Sequence, residues 1–173
     1  MKRNHTDPSG GFADFVRATG TQLHRAALLL TGDHHLAEDL TQATYAKVFA
    51  SWRRVNATDN PLAYARTTLL NTFLSHRRLR RNSEQPFDLT VGPELEAPGL
   101  DHATRLDVLA ALAVLPALDR TVVVLRYWED RSVADTAIDL GMTEAAVRTR
   151  ARRALQRLRP LLDHTDLSER TLS

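Results

Sequence analysis

The residues best equipped to act on a ligand lie near the end of the chain: Arg148, Thr149, Arg152 and Arg153. At i, i+1, i+4 and i+5 they share one face of any helix that carries them. A guanidinium pairs in bidentate fashion with guanine or grips phosphate, and threonine meets base edges or a thymine methyl. The chemistry is recognition of a nucleic acid, with no bond made or broken. A second basic group, Arg77, Arg78, Arg80 and Arg81, suits phosphate gripping. Two separated arginine blocks in a chain of formal net charge +2 suggest two contacts with a polyanion. Either block alone reads equally well as a solvated helix face.

Nothing comparable points to catalysis. His34 and His35 are adjacent, so they point different ways on a helix and make a poor metal pair. His24, His76, His102 and His164 are scattered, with no HExxH spacing and no glycine-rich phosphate loop. Glu38 beside Asp39 reads as helix surface. Cysteine is absent, which excludes disulfides and thiolate metal sites. The expectation is no catalytic residue, no metal, no cofactor and no enzyme.

The elements that must position the arginines are helical. Hydrophobic residues make up 43% of the 173 residues and aromatics only 6%, so cores must be built from Leu, Val and Ala. Phe12 to Leu30 has helical spacing interrupted at Gly20, and Thr31-Gly32-Asp33 ends it, with Asp33 capping the next helix, His34 to Trp52. Arg53 to Asn60 is polar and reads as a loop. Pro61 then starts a helix to about Arg81. From Ser83 to Asp101 three prolines, two glycines and five acids break every period, the signature of a linker. Helices resume at His102 to Leu115 and Leu118 to Trp128. Ser132 caps a short helix to Leu140, Gly141-Met142-Thr143 turns the chain, and Thr143 caps a last helix to about Leu162. A short helix, a glycine turn and a longer basic helix have the shape of a helix-turn-helix. Ala137 allows a close crossing, Leu140 and Val147 seal it, and Leu155 and Leu158 continue the inward stripe. The fold class is all-α: two small helical domains, 12–82 and 102–162, joined by the acidic linker 83–101. The tails, Met1 to Gly11 and Asp163 to Ser173, are expected to be loosely attached.

These segments resemble the extracytoplasmic-function sigma factors. LPALDRTVVVLRYWEDRSVADTAIDLGMTEAAVRTRARRALQRLR, from Leu115 to Arg159, resembles the family's fourth conserved region. The resemblance implies upstream promoter contacts at Arg148, Thr149, Arg152 and Arg153. Ala37-Glu38-Asp39-Leu40-Thr41-Gln42 resembles the AEDLxQ signature of the second region, which docks on the β′ clamp helices of RNA polymerase. Asp39, Leu40, Gln42 and Tyr45 are the implied polymerase contacts, although Ala43 stands where the family has glutamate and Tyr45 where it has phenylalanine. Asn60-Pro61-Leu62-Ala63-Tyr64-Ala65-Arg66 followed by Asn71 resembles the helix that opens the downstream element. Flipped-base and strand contacts then fall on Asn56, Asn60, Arg66, Thr67 and Asn71, with Arg77, Arg78, Arg80 and Arg81 on phosphates.

The implied function is an alternative sigma factor resembling the short actinobacterial SigE-like branch. The implied partners are core RNA polymerase (β′ clamp helices and β flap), promoter DNA and an anti-sigma factor. The N-terminus has no apolar run behind its basic residues, and no stretch approaches bilayer length, so no membrane insertion and a cytoplasmic location are expected. Two alternatives remain open on residues alone. One is an operator-binding activator, which would need a receiver or ligand domain that this chain lacks. The other is a polymerase-binding decoy, against which the arginine face argues.

Overall fold

Asp33, Asn60, Ser132 and Thr143 each cap the helix that follows them. In a computed structural model, which describes residues 8–82 and 102–170, the elements run α1 (Pro8–Thr31), α2 (His34–Ala50), α3 (Trp52–Val55), α4 (Pro61–Asn82), α5 (His102–Ala113), α6 (Ala117–Val123), a π-helical turn (Val124–Trp128), α7 (Val133–Leu140) and α8 (Glu144–Arg170). No strand occurs among the described residues. The expected linker, 83–101, lies outside them.

Pro8 opens α1, where its missing N–H costs nothing. The helix passes Gly20 without a break, because a glycine costs only about 1 kcal/mol there and the buried stripe Leu23, Ala26, Ala27 and Leu30 outweighs it. Gly32 adopts φ 71 to end the helix, its N–H donating to the Leu28 carbonyl at 2.8 Å. Asp33 Oδ1 accepts the Leu36 N–H at 2.8 Å and starts α2. The segment read as a loop from Arg53 contains part of α3 instead. Trp52 and Val55 are buried at 5% and 0%, and the indole packs on the Phe12 and Phe15 rings at 5.2 and 5.1 Å. Those anchors hold one helical turn that the intervening arginines concealed.

The helix-turn-helix forms as its turn residues dictate. Ser132 Oγ accepts the Asp135 N–H at 3.0 Å and donates to the Asp135 carboxylate at 2.7 Å. That hydroxyl, then Arg131, holds the Asp135 carboxyl below its usual pKa. Gly141 is left-handed at φ 62, Met142 N–H reaches the Ala137 carbonyl at 2.9 Å, and Thr143 Oγ1 accepts the Ala146 N–H at 3.2 Å. Val122, Ala137, Val147 and Ala151 form the buried crossing. The inward stripe of α8 continues through Ala154 and Leu158, in steps of four, three and four from Val147. Leu155 is one residue off that stripe and 41% exposed, not inward as expected. α8 also outruns its expected end near Leu162. No residue from Asp163 to Arg170 is a glycine or proline, so nothing stops the helix that has already passed Pro160.

The two helical units meet. Leu28, Leu29 and Leu30 are buried in succession, which a helix achieves only when covered on more than one side. α2 and α4 cover α1 on the N-terminal side, while α5, α6 and the π turn cover it from the other unit. One apolar cluster therefore joins Leu40, Val48, Leu69 and Phe73 to Leu109, Leu112, Leu125 and Leu158. At the boundary Arg120, 2% exposed, donates to the Leu30 carbonyl at 2.7 Å, the Ala113 carbonyl at 2.8 Å and the Leu115 carbonyl at 3.3 Å. The first is at the end of α1, where helix carbonyls lack partners and attract a cation.

Candidate nucleic-acid and polymerase interfaces

α8 sorts its arginines by periodicity. Arg148, Thr149, Arg152 and Arg153 are all exposed on one face. Arg148 pairs with Glu144 one turn back at 2.6 Å, a surface contact that a phosphate can displace. Arg150 and Arg157 turn toward α6 instead, meeting Asp119 at 2.7 and 3.7 Å. Asp119 is buried, so its hydrogen-bonded pair with Arg150 helps hold α8 on α6, while the exposed Arg157 approaches it at longer range. The surface that remains is a basic face of the second helix of a helix-turn-helix, the part that enters a major groove.

On α2, Asp39 and Gln42 are exposed and lie one turn apart. Leu40 and Tyr45 correct the expected contact set. Leu40 is 3% exposed and belongs to the core. Tyr45 turns toward α1, its hydroxyl 2.8 Å from Thr19 Oγ1 and its ring edge-on to Phe12 and Phe15 at 6.1 and 6.2 Å. Burial raises its phenol pKa, partly offset by the Thr19 bond. Alternating polar residues in a motif concealed which side chains the helix turns inward.

Around the α3–α4 connection, Asn56 and Asn60 are exposed. Asn60 Oδ1 accepts the Ala63 N–H at 2.9 Å, so its carbonyl is occupied capping α4. Asn71 is exposed and Thr67 half-buried on α4; Arg78 is exposed and Arg77 half-buried. The side chains of Arg80 and Arg81 lie outside the described residues. Arg66 is the clearest departure from a DNA-facing role. It is 9% exposed, and its Nε and Nη2 donate to Glu129 Oε2 at 3.1 and 2.9 Å. Sequence reasoning missed a further group: the exposed Phe49, Arg53 and Arg54 surround a shallow cleft over Trp52. An exposed aromatic beside two cations is what an unstacked base needs, and Phe49, three residues before the buried Trp52, supplies it next to Arg53 and Arg54.

His34 and His35 are also brought closer than adjacency suggested. At the start of α2 both Nδ1 atoms approach Glu38, at 3.5 and 4.0 Å. The His35 side chain is 86% exposed, so only His34 and Glu38 are held, too few protein ligands for a built metal centre.

Comparison with known proteins agrees with this layout. The Sigma-70 region 2 family model matches residues 15–83, and the Sigma-70, region 4 model matches residues 105–158. The chain is 34% identical over 161 residues to the RNA polymerase sigma-E factor of Streptomyces coelicolor, covering 93% of this chain and 91% of that relative. It is 34% identical over 142 residues to the ECF RNA polymerase sigma factor SigL of Mycobacterium tuberculosis, covering 79% and 80%. A co-crystal structure of the sigma factor RpoE with the anti-sigma factor NepR from Bartonella quintana is similar at a TM-score of 0.74 and 28% identity, covering 88% of this chain and 97% of that one. CnrH, solved in complex with the cytosolic domain of CnrY, shares the fold at a TM-score of 0.62 and 24% identity.

The matches to both family models place the chain in the sigma-70 family, with regions 2 and 4 both present, and the helix-turn-helix with its exposed basic face falls within the second of them. Within that family it belongs to the extracytoplasmic-function sigma factors, resembling the SigE-like actinobacterial branch. Such a factor binds core RNA polymerase and directs promoter-specific transcription initiation.

Proposed function

We propose that residues 12–82 form the unit that docks on polymerase and melts the downstream element, and that residues 102–162 form the unit that reads the upstream element. Asp39 and Gln42 meet the β′ clamp helices. Asn56, Thr67 and Asn71 meet the opened strand, with Arg77, Arg78, Arg80 and Arg81 on its phosphates, and Phe49 offers a stacking surface. Arg148, Thr149, Arg152 and Arg153 read the major groove while the second unit contacts the β flap. The observation that carries this reading is the division of α8, where the buried Asp119 holds Arg150 while Arg148, Thr149, Arg152 and Arg153 stay exposed on another face.

The two DNA contacts need not be tight singly, because attachment to polymerase makes them bivalent. The chain has no catalytic role of its own in this scheme. It works in the cytoplasm, and no described helix is long and apolar enough to cross a membrane. An anti-sigma factor is the regulatory partner, as in the solved complexes of similar proteins. The test is transcription in vitro from fragmented genomic DNA with core polymerase. Adding the chain is expected to create discrete start sites that share two sequence elements; an unchanged transcript pattern would overturn the proposal.

A further inference from the structure

We propose that the cavity between α2 and α4 binds a small aromatic acid, its carboxylate on Arg77 and His76 and a hydroxyl on Asp39, and that this ligand competes with polymerase for Asp39. The cavity belongs to the fold of the first unit alone; the competition rests on the proposed docking of α2 on polymerase.

The walls follow from helical spacing. Leu36, Asp39 and Leu40 stand at i, i+3 and i+4 on α2, and Phe73, His76 and Arg77 repeat that spacing on α4, so each helix turns one face into the gap. Thr31, at the end of α1, closes it. Its hydroxyl is engaged with the Ala27 and Asp33 carbonyls at 2.9 and 3.0 Å, so it serves as wall. Leu40 and Phe73, each 3% exposed, make an apolar floor with the half-buried Leu36. The polar groups at the rim are the exposed Asp39 and His76 and the half-buried Arg77.

The space measures about 220 Å³. An apolar cavity of roughly 150 Å³ already admits a benzene ring, so one ring with short substituents fits here. Water over leucine and phenylalanine side chains finds few partners, and an apolar body that displaces it gains affinity.

Charge decides how such a body lies. Burial, then the closeness of Arg77, lowers the Arg120 pKa, and Arg120 Nε has no partner among the described residues. Two guanidinium groups that repel each other leave positive potential on the α4 side, which an anion on Arg77 relieves. The planar fork of a guanidinium takes a carboxylate through two parallel hydrogen bonds. On the α2 side the Asp39 carboxylate repels an anion and accepts from a hydroxyl. A ring with an acid at one end and a hydroxyl at the other meets all three demands.

para-Coumarate has that form and is the test compound, titrated into the isotope-labelled full-length chain and followed by amide chemical shifts. Saturable shifts centred on the cavity walls are expected, with a dissociation constant of about 1 mM or tighter. Methyl para-coumarate, which lacks the charge, and Arg77→Gln should each weaken binding about tenfold. Cinnamate, which lacks the hydroxyl, should bind about threefold more weakly. Arg17→Gln removes the same charge from an exposed site on α1 and should change nothing. No saturable shift up to about 10 mM, or equal affinity for the acid and its ester, would overturn the site. Core polymerase then tests the competition. Saturating para-coumarate should reduce the complex recovered with core enzyme, and Arg77→Gln should blunt that loss. Binding that leaves the complex unchanged keeps the site and overturns the competition. A chain that binds para-coumarate but never core polymerase sinks the docking reading instead. Wall residues that respond to polymerase and to none of the small molecules would make the cavity a socket for a polymerase side chain, and the proposal would fall.

Discussion

Replacing Arg120 with methionine is expected to lower the unfolding free energy by about 3 kcal/mol, the largest stability loss of any single polar substitution considered for this chain. The guanidinium is 2% exposed and satisfies three backbone carbonyls, two within its own unit and one at the end of α1. Methionine fills much of the space but donates nothing. Each buried carbonyl left without a partner costs about 1–3 kcal/mol, and release of the guanidinium from its dry site offsets part of the sum. That offset is real, because Nε has no partner among the described residues. Burial, then the nearby Arg77, pushes the Arg120 pKa down to about 10, so the group remains charged at neutral pH. The folded state thus holds this proton less tightly than the unfolded one. Between pH 10 and the ordinary arginine value the unfolded chain binds more protons, so this group makes stability rise with pH there and contributes no slope near pH 7. Urea unfolding at pH 7 provides the check. Arg120→Met within about 0.5 kcal/mol of the parent would mean that the bridge to α1 carries no weight.

The second large effect is on function and leaves stability alone. Arg152→Ala with Arg153→Ala should reduce transcription from the chain's own promoters by about 100-fold, from two groove or phosphate contacts of about 1–3 kcal/mol each. Both side chains are exposed and alanine is the better helix former, so the midpoint of unfolding should not fall. Arg150→Ala is the contrasting case. Its partner Asp119 is buried, so its removal should loosen the packing of α8 on α6, with promoter preference unchanged. Run-off transcription beside thermal melting distinguishes the two. Equal losses of activity and melting temperature in both proteins would mean that α8 has no separate reading face.

The helix-turn-helix was legible because its signals are local. Ser132, Gly141 and Thr143 each act within a few residues, and the structure finds all three capping or turning as their chemistry requires. Asp33 and Pro61 set their helix starts for the same reason. What the residues concealed was direction and distance. Leu155 reads as core by type, yet the small Ala151 and Ala154 make the true seam and leave it outside. Leu40 and Tyr45 stand among the polar residues of α2 but pack inward. Arg66 resembles a surface cation until a glutamate 63 residues later is brought against it by a π turn that no local pattern announces. The closing of one unit on the other depends on contacts across the linker, and periodicity within a helix carries no record of those.

The central claim is that this chain docks on core RNA polymerase through the exposed face of α2. Gel filtration of the purified protein with bacterial core enzyme tests it most directly. A stoichiometric complex, weakened by Asp39→Ala or Gln42→Ala in variants that remain folded, is the predicted result. Failure of the parent protein to co-elute with an active core enzyme, with no inhibitor co-purified, would contradict the account and point to an operator-binding regulator.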